Sequence, residues 1–276
     1  MIITGASSGI GQACAVLFAR LGARVAIHYN SNEAGARETL ALCDAASRKR
    51  GNVTEARPIH TLIRADLGES ACVEDAAVSV IDDARHFFGR APDSLILNAG
   101  IFENCSDGSA TLSTFMSAWR RTMTVNVEAL AALTYVFAKA TEAAAAKNES
   151  VRDGNAITSR ASIVTVGSRG ALRGEPSAWA YGASKAAAHA LSQNAALALG
   201  ARGIVCAAVA PGFVATRMAR FENDAVAAAV CAQSPWKRVA TPEEVASSVE
   251  FAARFFENPW ISGAVINCNG ASYLSR

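Results

Sequence analysis

Short runs of aliphatic and β-branched residues alternate along the chain with longer stretches whose apolar positions recur at helical spacing. Ile2-Ile3 leads into a glycine-containing turn, after which Ile10, Cys14, Leu17, Phe18 and Leu21 fall on one helical face and Gly22 ends the helix. Val25-Ala26-Ile27 predicts a second strand, and 32–49 a polar helix. Further strands are expected at 59–63, 94–97, 162–166, 204–209 and 264–267, with helices near 69–88, 113–146, 179–200 and 242–256. Strands with little polar alternation, separated by helices, imply a parallel sheet covered on both faces. The expected fold class is therefore α/β, a doubly wound parallel sheet in three layers. Two segments break the rhythm. Residues 147–160 read as a long polar surface connection. Residues 213–241 follow a strand and contain Pro235 and Trp236, where a substrate lid would sit. No stretch reads as a linker, so residues 1–276 are expected to form one domain.

Composition narrows the class. Of 276 residues, 51% are hydrophobic and 18% charged, the reverse of a disordered chain. A net charge of +2 gives no argument for nucleic acid or an anionic membrane surface. The cysteines at 14, 43, 72, 105, 206, 231 and 268 form no Cys-x-x-Cys pair and no close cluster with histidine, so free thiols in a reducing compartment are expected and no metal. The opening residues resemble no secretory signal, and no apolar stretch has spanning length, so a cytoplasmic protein without membrane contact is expected.

Thr4-Gly5-Ala6-Ser7-Ser8-Gly9-Ile10-Gly11 joins the first strand to the first helix. Its glycines allow a tight turn and close backbone approach, and the helix N-terminus aims free N–H groups at an anion. Gly5, Ser7, Ser8, Gly9, Ile10 and Gly11 are thus candidates for a dinucleotide pyrophosphate. The same residues spell Gly-x-Ser-x-Gly, the nucleophile elbow of a hydrolase. That reading lacks upstream strands and an oxyanion loop, and the late histidine, His189, lies in an Ala-rich helical stretch.

Tyr181 and Lys185 are four residues apart and share a helical face. A unit positive charge about 4 Å from a phenol is worth roughly 4 kcal/mol at an effective dielectric near 20. That corresponds to about three pKa units, enough to bring a phenol toward neutrality as a general acid or base. Ser168, just past a strand, could donate to a substrate oxygen. Asn126 is polar within an apolar helical stretch, and a hydrogen bond to a neighbouring strand would account for it.

Taken together and in order, Thr-Gly-x-x-x-Gly-x-Gly, Asn98-Ala99-Gly100, Asn126, Ser168, Tyr181-x-x-x-Lys185 and Pro211-Gly212 resemble the short-chain dehydrogenase/reductase family in its compact branch. Ala65-Asp66-Leu67, Pro242-Glu243-Glu244-Val245 and Ile261-Ser262-Gly263 extend the resemblance over essentially the whole chain. It implies a Rossmann fold and a hydride exchange between a nicotinamide cofactor and a carbonyl or alcohol. By the same resemblance Tyr181 donates or accepts the proton, Lys185 lowers its pKa and holds the nicotinamide ribose, Ser168 polarises the carbonyl, and Asn126 holds a water linking Lys185 to solvent. Asp66 and Leu67 would flank the adenine, with Asn98, Ala99 and Gly100 beside the adenosine ribose. Pro211, Gly212, Val214 and Thr216 would cradle the carboxamide. A homotetramer built on 113–146 and 179–200 is also implied. The first strand is short for the family, which suggests missing N-terminal residues, and 147–160 is longer than usual.

The second strand ends His28-Tyr29-Asn30-Ser31-Asn32, with no acid before Glu33 to grip a free ribose. Tyr29, Asn30 and Ser31 are therefore candidate contacts, and Asn30, Ser31 and Asn32 could donate to a 2′-phosphate, which favours NADP(H) while leaving NAD(H) possible. Pocket candidates are Phe102, Ala171, Leu172, Trp179, Phe213, Met218 and Trp236, with Arg173 nearby. Similarity to 3-oxoacyl-(acyl carrier protein) reductases points to a 3-oxoacyl thioester or another small ketone. A pteridine-reductase-like enzyme is the alternative, and a dinucleotide-binding sensor without chemistry is the alternative of another class.

Overall fold

The computed structural model describes residues 1–48, 58–69, 72–104, 110–147, 161–216 and 223–274. Seven strands are joined in one sheet: β1 (Ile2–Ile3), β2 (Ala26–Tyr29), β3 (Thr61–Arg64), β4 (Ser94–Leu97), β5 (Ala161–Val166), β6 (Ile204–Pro211) and β7 (Val265–Cys268). Every pairing is parallel and the order is β3-β2-β1-β4-β5-β6-β7. The strand order reverses between β1 and β4, so a crevice opens above their carboxyl ends, where ligands bind in such sheets. This is a Rossmann-like doubly wound sheet.

Alternation along β4 shows why its sequence reads as continuously apolar. Leu95 and Leu97 point into one core with Val80, Leu130, Leu133 and Phe137, while Ile96 points into a second core with Cys14, Phe18, Val245 and Val249. The first layer is α3 (Val73–Phe88), α5 (Ala129–Lys147) and α7 (Trp179–Leu199); the second is α1 (Gly9–Arg20), α2 (Glu33–Arg48) and α9 (Pro242–Ala253). Thr241 opens α9 with a capping box to Glu244, and Pro242 occupies the first turn, which is why this helix starts where its sequence says. The described cysteines are free, and burial pushes the Cys14, Cys43 and Cys206 thiols up to about 12. No helix among the described residues is long and apolar enough to cross a membrane.

Three features depart from the expected elements. The stretch expected as one helix at 113–146 is α4 (Leu112–Met123) and α5 joined by a π-helical turn, Thr124–Glu128. A short helix, α6 (Gly170–Arg173), follows β5, and α8 (Asp224–Ala232) lies within the expected lid. Both are short Ala-containing segments with little apolar periodicity to read. The connection expected at 147–160 lies outside the described residues except for its first residue, and so does 217–222 of the lid, including Met218.

Candidate active site

The turn from β1 to α1 is held open by backbone geometry. Gly5 and Gly9 have φ of 62° and 58°, in the left-handed region that favours glycine. A Cβ on Gly5 would lie 2.9 Å from the Ala99 Cα, so the end of β4 could not approach as it does. Thr4 joins the two segments. Its buried Oγ1 accepts from the amides of Asn98 (2.9 Å) and Ala99 (3.0 Å) and donates to the Ile96 carbonyl at 3.2 Å. Asn98 Nδ2 returns the contact, donating to the Thr4 and Gly5 carbonyls at 2.9 and 3.1 Å.

His28, which the motifs name without a task, is the second clamp. Its Nδ1 accepts from the Gly5 amide at 3.1 Å, leaving the proton on Nε2, 3.1 Å from the Ala65 carbonyl. The imidazole thereby ties the glycine turn to β2 and to the residue before Asp66. Complete burial lowers its pKa to about 4. Asn30 and Ser31 are exposed beside this turn. Asn32 has part of its side-chain amide engaged within the protein: its Nδ2 donates to the Ser7 carbonyl (3.2 Å) and its Oδ1 accepts from the Gly35 amide (3.3 Å). The Asp66 carboxylate accepts from the Gly68 amide at 2.7 Å.

Above β5 stand the groups with acid–base chemistry. α7 carries Tyr181 and Lys185 on the face toward β5, because Ala188 and other small residues let the helix lie close to the sheet. The Lys185 Nζ donates to the Val166 carbonyl at 2.9 Å and lies 5.7 Å from the centre of the Tyr181 ring. Ser168 reaches the Tyr181 phenol in a hydrogen bond, and its Oγ accepts from the Gly170 amide at 3.0 Å. His189, one turn beyond Lys185, sets its Nε2 3.4 Å from the Ser168 amide. A Cβ on Gly167 would run into that ring, so glycine is required there.

Asn126 does not bond a strand. The π-helical turn aims its side chain at the segment after β4, where Oδ1 accepts from the Ile101 amide (2.8 Å) and Nδ2 donates to the Ile101 carbonyl (3.0 Å) and to Ser184 Oγ (3.0 Å). It is fully buried and lies behind the cleft. A Cβ on Gly100 would sit 3.2 Å from its Oδ1 and 3.4 Å from Lys185 Nζ, so a bare glycine backbone is what fits beside both groups.

The expected downward shift of the phenol is corrected by the structure. Burial pushes Tyr181 up to about 12, with Ser168 pulling against it and the Glu175 carboxylate adding to the rise. The same burial brings the Lys185 ammonium down to about 8. The spacing argument assumed an ammonium about 4 Å from the phenol oxygen. Here that ammonium is turned to the Val166 carbonyl, and desolvation wins.

One cavity of about 990 Å³ joins both ends. It is lined by Gly5, Ser7, Ser8, Gly9, Ile10, Tyr29, Asn30, Ser31, Asp66, Leu67, Asn98, Ala99, Gly100, Ser168, Tyr181, Lys185, Pro211, Gly212, Val214 and Thr216. Gly11 is not in the lining. It packs beneath the loop, where a Cβ would strike the Gly5 carbonyl and the Asn98 side chain. Of the pocket candidates, Phe102 and Phe213 line the cavity, whereas Ala171, Leu172, Arg173, Trp179 and Trp236 do not. Trp179 instead packs on Phe115, with ring centres 5.8 Å apart. Sequence reasoning missed Thr4 and His28 as clamps and Arg169 as a lining residue. For Arg169 its place directly after Ser168 was a usable signal.

The cavity suits a dinucleotide: backbone at Gly5, Gly9 and Gly100 lets a ligand approach closely, and its volume is at the top of the usual small-molecule range of about 300–1,000 Å³. Comparison with known proteins agrees. A family model described as Enoyl-(Acyl carrier protein) reductase matches residues 5–270. The (3R)-3-hydroxyacyl-CoA dehydrogenase of Rattus norvegicus is 31% identical over 274 residues, covering 99% of this chain and 95% of that protein. The solved structure of LugOII, a promiscuous reductase catalysing keto-reduction at C1 during lugdunomycin biosynthesis, has a TM-score of 0.79 at 28% identity, covering 99% of this chain and 97% of that one. The angucycline C-6 ketoreductase LanV, solved with bound NADP, has a TM-score of 0.78 at 25% identity, covering 98% and 93%.

Proposed function

The chain belongs to the short-chain dehydrogenase/reductase family, which makes it an NAD(P)-dependent oxidoreductase, and from that premise we propose that it interconverts a ketone and an alcohol with NADP(H), Tyr181 handling the proton. The observation that carries this reading is that Ser168, Tyr181 and Lys185 open into the same cavity as the glycine turn. A bound nicotinamide supplies the hydride to the carbonyl carbon, or takes it up in reverse. Ser168 donates a hydrogen bond to the carbonyl oxygen and keeps it within reach of the phenol. As the oxygen gains charge, Tyr181 gives up its proton to it, forming the alcohol. The raised phenol pKa keeps that proton in place at neutral pH until the substrate oxygen takes it. Lys185, anchored on the Val166 carbonyl, would hold the nicotinamide ribose. Asn126 keeps the segment after β4 in place beside Lys185. A 3-oxoacyl thioester or a similar small ketone is the substrate class, in keeping with the hydroxyacyl and keto-reducing relatives.

Replacing Tyr181 with Phe tests the role: turnover falls at least about 100-fold while cofactor still binds. Unchanged turnover overturns the assignment. For the cofactor, Asn30 and Ser31 supply neutral donors to a 2′-phosphate, and the cations lining the cavity, Arg121, Arg169 and Lys185, belong to the other segments. Titration of each cofactor is expected to give the lower Kd for NADPH; values equal within a factor of a few would remove the preference. The same reading makes residues 1–276 one cytoplasmic domain assembled as a homotetramer. The exposed Tyr135 on α5 and Leu197 on α7 support that interface, and light scattering tests it.

A further inference from the structure

Arg169 directly follows Ser168 and lines the cavity, yet it is only 3% exposed. Its amide donates to the Pro211 carbonyl at 2.9 Å, which fixes the backbone across β6. Its guanidinium lies 4.8 Å from the Phe213 ring centre, and Nη2 donates to Gln233 Oε1 at 2.7 Å. Arg173 Nη1 converges on the same neutral oxygen at 3.3 Å. The carboxylate of this group, Glu175, lies 3.9 Å from Arg173 and acts on Arg169 only through its charge, the weakest of the influences there. Among the described residues, then, two cations face one carboxylate. A buried cation without its own counter-ion is costly and is retained where something pairs with it. Burial and the neighbouring Arg173 both disfavour the charged form of Arg169, so an anion entering the cavity relieves both.

Building on the oxidoreductase reading, we infer that the carbonyl substrate carries a compact anionic group, a carboxylate or a phosphate, and that Arg169 receives it next to Ser168. A guanidinium has donors on all its nitrogens in a planar fork that matches either oxyanion, and Gln233 occupies one of them. Phe213, Val226 and Val230 give the adjoining wall an apolar surface, which suits the short carbon chain between carbonyl and anion. Arg169 is thus a specificity-determining residue, one position after the group that polarises the carbonyl.

The test compares a short oxo acid, the amide of the same acid and a ketone ending in phosphate. Each is titrated calorimetrically into the full chain, with and without oxidised cofactor, and separately assayed for NADPH and NADH consumption. The oxo acid or the phosphate is expected to bind at least about tenfold more tightly than the amide, and the tighter of the two identifies the anion. In Arg169→Met that ratio collapses to about one, and Arg169→Lys restores part of it. An acid and a phosphate that bind wild type no more tightly than the amide overturn the inference, and this comparison needs no variant to fold. Absence of cofactor consumption from every carbonyl overturns the oxidoreductase reading instead, while the binding ratio still decides the role of Arg169.

Discussion

Around the glycine turn the contacts run between backbone groups and short uncharged side chains, whereas beyond β5 the cleft is walled by buried charge. Thr4, Asn98 and His28 satisfy the turn almost entirely with amides and carbonyls. Lys185 and Arg169 are each at least nine-tenths buried and, among the described residues, find only neutral partners within hydrogen-bond distance. The first end is preorganised and stable without a ligand. The second holds more buried positive charge than its one carboxylate balances, which a ligand would complete, so its stability and its chemistry pull in opposite directions.

The largest effect that would break this contrast is at Lys185. Replacing it with Met removes a buried ammonium, so turnover is expected to fall about 100-fold or more while the thermal midpoint holds or rises. A midpoint lower by several degrees would mean the ammonium stabilises the fold and the two ends are alike. At the other end the opposite sign is expected. Thr4→Val orphans the Asn98 and Ala99 amides and should lower stability by about 1–3 kcal/mol, read from denaturant midpoints. Gly5→Ala meets a left-handed backbone and the Ala99 Cα, and a loss of about 1–2 kcal/mol from the backbone alone, with weaker cofactor binding, is expected.

A separate effect, spread over a range of conditions, is on pH. The folded pKa of His28 and of His189 is lowered to about 4, below the usual histidine value of 6.5. The unfolded chain therefore binds more protons between these values. Stability is full above pH 6.5 and falls as the pH drops toward 4, by up to about 1.4 kcal/mol per pH unit for each histidine. His28→Asn should flatten that fall; an unchanged profile would show that the imidazole does not clamp the turn.

The glycine turn and Tyr181-x-x-x-Lys185 were legible because each depends on local spacing: a positive φ, a tight approach, one helical face; Asn98-Ala99-Gly100 was legible only through the family resemblance. The strand positions were legible because a sheet buried on both faces reads as unbroken aliphatic runs. The phenol's shift was not, since it depends on whether the ammonium points at the oxygen or at the Val166 carbonyl, and on how much water the fold removes. Asn126 also escaped a correct account, because a single π-helical turn re-aims it and leaves no trace in the apolar pattern.

What this chain's residues determine alone is a doubly wound parallel sheet with a nucleotide turn at its crossover and a tyrosine–lysine pair on a helix behind it, because those features follow from periodicity and backbone sterics. What the tertiary structure decided is the electrostatic character of the cleft. His28 became a clamp, Asn32 was tied to Ser7, and Arg169 was turned inward between Phe213 and Gln233. Desolvation and pairing depend on neighbours distant in sequence, and only the packed fold brings those neighbours together.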